Sequence, residues 1–166
     1  MFRLLKKKKN EPNRAFGTVK RFDGYWSTSE KAEFVLWNKA YQLNCMVSAG
    51  SNQAEITKKQ EDVYIRFKEN CDLLQGEIER VVAAYFSTTD AAVLLSKFTP
   101  YQMRISPSGE CAIIASNADD ENQEDALPGL AVVLYPRVAI FTKEDYLEYA
   151  LRDGCDEIRE ILYGGS

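Results

Sequence analysis

The stretch KKQEDVYIRFKENCDLLQGEIERVVAAYF, Lys58 to Phe86, decides the fold. Val63, Phe67, Cys71, Leu74, Ile78, Val81 and Tyr85 follow one another at steps of three and four, which places them along one helix face. Lys59, Asp62, Arg66, Glu69, Asp72, Glu77 and Arg80 take the other side. Thr57 stands three residues before Gln60, the spacing of a capping box. The segment therefore reads as one amphipathic helix of about eight turns. Gly76 interrupts it and marks a bend or a close approach to a sheet. Tyr64 lies one step off the stripe, where it can flank the same surface or reach across to the sheet by a hydrogen bond.

An apolar stripe of that length needs a partner surface, and the flanking segments supply strands. Before it, Phe16 to Phe22 reads as a strand, and Asp23-Gly24 is a turn signal ahead of Tyr25-Trp26. KAEFVLWNKAYQLNCMVS reads as a hairpin turning at Asn38-Lys39, because Asn tolerates a positive φ. Tyr41, Leu43, Cys45 and Val47 alternate there with Gln42, Asn44, Met46 and Ser48, a period of two with one buried face. After the helix, Asp90 caps a short helix ended by Pro100, and YQMRI, ECAIIAS, LAVVLY and RVAIF read as strands. Thr142 and Asp145 then open a C-terminal helix that Gly154 can divide. No glycine-rich βαβ unit or internal repeat occurs. The expected fold is α+β, a mainly antiparallel sheet of about five to seven strands covered by one long amphipathic helix, with a C-terminal helix added. Residues 1–14 are expected to form a flexible basic tail, 15–163 a single domain, and 164–166 a loose end.

Charge divides along the chain. Residues 1–14 hold six basic residues and one acidic residue, a net +5, and the other fifteen basic and twenty-four acidic residues leave the body at −9. An acidic body is a poor electrostatic match for nucleic acid and a good one for a basic protein partner. The basic tail, with FRLL before KKKK, could touch an anionic membrane surface, but so short an apolar piece anchors weakly, so no membrane contact is expected there. No apolar run approaches the roughly 18 residues of a membrane span, and the start lacks a signal-peptide apolar stretch, so a cytoplasmic protein is expected.

The chain has no histidine, which excludes Ser-His-Asp and Cys-His catalysis and any Cys/His zinc site. Cys45, Cys71, Cys111 and Cys155 are scattered without a CxxC pair and read as small packing residues. Phosphate-binding glycine loops are missing. One dense carboxylate group remains, Asp119, Asp120, Glu121, Glu124 and Asp125, in a long polar loop. Its spacing fails the calcium-loop pattern, with Glu124 where Gly is needed and Leu130 where Glu is needed. This loop and the aromatics Trp26 and Trp37, near the hairpin ends, are the candidate partner contacts. No catalytic, metal or cofactor residue is assigned, and no cofactor is expected. The functional expectation is a non-enzymatic domain that binds a basic protein through its acidic surface. Two alternatives stay open: a small-molecule or enzymatic pocket between helix and sheet, and a peripheral membrane adaptor working through the tail.

One resemblance bears on this. Phe16, Gly17, Val19, Gly24, Tyr25 and Trp26, then Trp37, Lys39 and Tyr41, then Gln60, Tyr64, Phe67, Asn70, Leu74, Ile78 and Tyr85 form a pattern. With EDALPGLAVVLYP, it resembles a family of small bacterial proteins of unknown function. That family is similar to others found beside secreted polymorphic toxins, which implies an immunity-type role. In the last segment the family carries a Glu-His-Gly-like run. This chain has no histidine and places Pro128 before Gly129, so no role passes to that turn.

Overall fold

The computed structural model describes residues 11–120, 128–152 and 154–164. Eight strands form one sheet in chain order: β1 (Glu11–Asn13), β2 (Gly17–Phe22), β3 (Tyr25–Leu36), β4 (Lys39–Ser48), β5 (Phe98–Ile105), β6 (Cys111–Asn117), β7 (Leu130–Tyr135) and β8 (Ala139–Thr142). Every neighbouring pair is antiparallel except β4 and β5, which run parallel with Val47 opposite Ile105. The chain crosses between those two strands through helices α1 (Lys58–Phe86) and α2 (Ala91–Lys97). Helices α3 (Lys143–Arg152) and α4 (Asp156–Tyr163) follow the last strand. The class is α+β as expected, with eight strands where about five to seven were expected and with the C-terminal helix divided in two near Gly154.

α1 covers one face of the sheet. Its buried residues are Gln60, Val63, Tyr64, Phe67, Leu74, Ile78 and Val82. The expected stripe holds as far as Ile78 and then drifts: Val82 replaces Val81, and Tyr85 is exposed. The bend falls at Asn70 (φ −121°, ψ 17°) rather than at Gly76. Asn70 Nδ2 donates to the Arg66 carbonyl at 2.8 Å, the local competition by which an Asn side chain disturbs a helix ladder. Gly76 faces open space. Tyr64 is fully buried, stacked on Phe16 with ring centroids 4.9 Å apart, and its hydroxyl makes no hydrogen bond to the sheet.

α3 and α4 cover the opposite face over β6 and β7. Ala112, Ile114, Ala131 and Val133 pack there against Tyr146, Tyr149, Ile158 and Leu162. The alternate residues Ile113, Ala115, Leu130 and Val132 join the core under α1. Double coverage explains why CAIIA and LAVVL are unbroken apolar runs while β2 and the outer part of β3 alternate.

Local departures have local causes. The β3–β4 turn is made by Trp37 (φ 48°) and Asn38 (φ 63°), with Leu36 opposite Lys39, so it lies one residue earlier than Asn38-Lys39. That shift keeps Phe34 opposite Tyr41 on the core face. Asp23-Gly24 forms the expected turn between Phe22 and Tyr25. Pro100 does not end α2, which stops at Lys97. It lies inside β5 beside a register shift, where its missing N–H costs no ladder bond. Residues 11–13, expected in the tail, pair with β2 instead, and residues 1–10 lie outside the described part. At the other end, Gly164 N donates to the Glu160 carbonyl and closes α4.

Candidate functional site

The loops after β4 and β5 leave the sheet side by side because those strands are parallel, and α1 begins between them. Gln60 fixes this junction. Its side chain is fully buried, and Nε2 donates to the Ser48 carbonyl (2.8 Å) and the Ser106 carbonyl (2.9 Å). Its Oε1 accepts from Thr57 N at 3.0 Å and from Gln53 Nε2 at 2.8 Å. Gln60 N in turn donates the capping bond to Thr57 Oγ1 at 3.1 Å. One amide thus ties the carboxyl ends of β4 and β5 to the first turn of α1.

Beside this junction opens a cleft of about 670 Å³. Gly50 and Ser51 line it from the loop after β4, Lys59 from α1, Pro107 and Ser108 from the β5–β6 turn, and Tyr149, Leu151, Arg159 and Tyr163 from α3 and α4. Glu110 forms part of its wall although it is only 1 % exposed. The volume lies within the range of small-molecule sites. In sheets with parallel strands, ligands collect at the carboxyl ends, where loops diverge and a helix begins.

Glu110 is the centre of the hydrogen bonding. Oε1 accepts from Ser106 Oγ and Ser108 Oγ, each at 2.9 Å. Oε2 accepts from Tyr149 Oη at 2.5 Å and Tyr163 Oη at 2.6 Å. Four hydroxyl donors on two oxygens satisfy a carboxylate that water does not reach. Burial, followed by the bond to Glu110, raises the pKa of both Tyr149 and Tyr163 above the usual phenol range. The β5–β6 turn makes this possible: Ser106 N donates to the Glu110 carbonyl and Gly109 N to the Ser106 carbonyl. Gly109 has φ +87°, and a Cβ there would sit 2.7 Å from Lys59 Cγ, so a side chain would disturb both the turn and the cleft wall.

The charges on the cleft wall are Lys59, Arg159 and Glu110. The Arg159 guanidinium carbon lies 5.6 Å from the centroid of the Tyr149 ring. Both oxygens of Glu110 are taken, and Lys59 on the exposed first turn of α1 can turn its positive charge toward a guest. Among the described residues no three carboxylates or thiols gather as a metal would require. All four cysteines are free thiols. Burial raises the pKa of Cys45, Cys111 and Cys71, and burial with the nearby carboxylates of Asp145 and Glu148 raises Cys155.

The residues singled out from sequence lie elsewhere. Trp26 is buried in the α1-side core, with the Arg21 guanidinium 4.3 Å from its ring. Trp37 is half-buried edge-on to Phe98, and its backbone N–H donates to Glu79 Oε1. Asp119 pairs with Lys97 at 3.2 Å, and Asp120 Oδ2 accepts from Gly129 N at 3.0 Å. Glu121, Glu124 and Asp125 lie outside the described residues. Trp26, Trp37, Asp119 and Asp120 thus each have a partner within the protein, and Trp37 and Asp119 meet the neighbouring residues Phe98 and Lys97. Glu110 had a signal: Glu110, Ala112 and Ile114 share a strand face, and a carboxylate on an apolar face asks for a partner. No helix of the described residues is long and apolar enough to cross a membrane.

Compared with family models, with curated proteins and with solved structures, the chain finds no match.

Proposed function

We propose that the protein is a binding module that holds a small anionic ligand in the cleft at the carboxyl ends of β4 and β5. The observation that carries this reading is the cleft itself, which has Lys59 on its rim and a wall carboxylate already saturated by four hydroxyls. An anion there would meet Lys59 at the start of a long helix without facing an open carboxylate. Binding rather than catalysis is supported by the lack of histidine and by thiols whose pKa values are raised rather than lowered. The test is a thermal-shift and calorimetric series with small carboxylates and phosphates at constant ionic strength. Wild type should be stabilised by at least one of them, and Lys59→Glu should remove the effect while keeping its own melting temperature. If no anion stabilises wild type, or Lys59→Glu responds as wild type does, the cleft is not an anion site.

A second reading rests on the net −9 carried by the chain after residue 14. It is the binding of a basic protein partner through the acidic surface, with the immunity-type role implied by the resemblance as one case. It predicts capture of one basic protein at low salt and its loss at high salt. It also predicts weaker binding when Asp119, Asp120 and Glu124 are changed to Lys. Capture that ignores both salt and these changes would exclude it.

A further inference from the structure

On the sheet face opposite α1, one basic side chain lacks an acidic partner among the described residues. Met103 and Ile105 of β5 point to the α1 core, so Arg104 between them projects to the other face. The register sets Arg104 between Met46 of β4 and Ala112 of β6. Ala112, the cross-strand neighbour of Arg104, packs under Tyr146 of α3. Nε of Arg104 is buried without a hydrogen-bond partner, and so is the hydroxyl of Tyr146, which is 0 % exposed. The two groups act on each other electrostatically. Burial acts most strongly on Arg104, Tyr101 is the other group that acts on it, and no carboxylate of the described residues does, while Tyr146 also feels Glu110. Lys143 adds a second positive charge at this corner, its ammonium 5.6 Å from the Tyr101 ring. Glu110 does not serve, because its oxygens are occupied by four hydroxyls.

We propose that Arg104 and Tyr146 form a binding site, separate from the cleft, for a single anionic group, a carboxylate or a phosphate, entering beside α3. Native proteins leave few buried donors unpaired, and the exceptions mark absent guests or strain. A guanidinium offers donors in a fork that matches a planar or tetrahedral oxyanion. A water molecule would satisfy the phenol but would leave the partly buried charge without a counter-ion. Burial lowers the pKa of Arg104, the direction that a bound anion would reverse.

The experiment follows the arginine Nε–H signals of the ¹⁵N-labelled protein. Inorganic phosphate and acetate are titrated separately, with chloride holding ionic strength constant. Arg104→Lys assigns the Arg104 signal by its loss. The expected result is a saturable shift of that signal with phosphate, acetate or both, and the stronger of the two names the guest chemistry. Tyr146→Phe should weaken binding by at least about tenfold, the loss of one charge-assisted hydrogen bond. Lys59→Glu should leave the binding unchanged, which separates this site from the cleft. If Tyr146→Phe does not fold, Arg104→Gln is compared with wild type by the thermal shift that phosphate produces. A signal that follows chloride as closely as the other anions overturns the proposal, as does equal affinity in Tyr146→Phe or an equal thermal shift in Arg104→Gln. The guanidinium would then be only hydrated.

Discussion

Glu110 shows how much one side chain can organise. Its carboxylate receives hydroxyls from the β5–β6 turn, from α3 and from α4, so it fastens both C-terminal helices to the sheet. Glu110→Gln keeps the shape but turns an NH₂ toward two of those donors, and we expect a loss of about 3 kcal/mol in urea unfolding. Tyr149→Phe removes one charge-assisted bond and should cost about 2 kcal/mol. An unchanged midpoint in Glu110→Gln would mean that the carboxylate does not fasten the helices. Tyr149 also gives the molecule an alkaline limit. Burial and then Glu110 raise its pKa in the folded state, so above roughly pH 10 the unfolded chain gives up a proton that the folded chain keeps. The unfolded state then binds fewer protons, and stability falls as pH rises, by up to about 1.4 kcal/mol per pH unit for this group. Below that pH the contribution is constant. Tyr149→Phe should therefore lose less stability than wild type between roughly pH 9 and 11; equal alkaline slopes would contradict it. Glu110 was not singled out from the sequence, although its place in line with the apolar face of β6 was a signal. Its partners Tyr149 and Tyr163 lie 39 and 53 residues further on, and no local pattern links them.

The long helix was legible because one element carries its own evidence: an apolar period, a capping box and a polar back. Its details were settled by contacts that the period does not contain. The bend sits at Asn70, whose amide competes for the Arg66 carbonyl, and Gly76 is an exposed helical position with open space around it. Gly76→Ala should therefore stabilise the protein by about 0.5–1 kcal/mol, since Ala gains helix propensity and meets no clash. A decrease in melting temperature would restore Gly76 as the required bend. The β3–β4 turn was placed one residue late for a related reason. Nothing in the local sequence favours a Trp at φ 48°, and the cross-strand pair Phe34–Tyr41, with ring centroids 5.4 Å apart, fixes the register that demands it. Local turn chemistry is weak beside a stacked pair on a core face.

For the whole molecule, the feature least legible in the sequence is the parallel pair β4–β5. A reading built from hairpins makes every neighbour antiparallel, whereas α1 and α2 carry the chain across the sheet and return it in the same direction. This crossover places the cleft, because it brings two strand ends and a helix start to one edge. It also divides the sheet into unequal halves. β6 and β7 are covered on both faces, with Cys111–Ala115 and Leu130–Val133 wholly buried, while β2 alternates between half-buried and exposed positions. Local opening should follow that division, since buried apolar contact sets the cost of opening. Hydrogen–deuterium exchange read by mass spectrometry should show the slowest amides in β6 and β7, intermediate rates in β4 and β5, and the fastest strand exchange in β1 and β2. Truncation before Lys143 would bare Ala112, Ile114, Ala131 and Val133 and strip Glu110 of its two phenol donors. The protection of β6 should then fall toward that of β2, or the chain should fail to fold. If β6 keeps its protection without α3 and α4, the second layer is an attachment to the sheet and not part of the core that holds it.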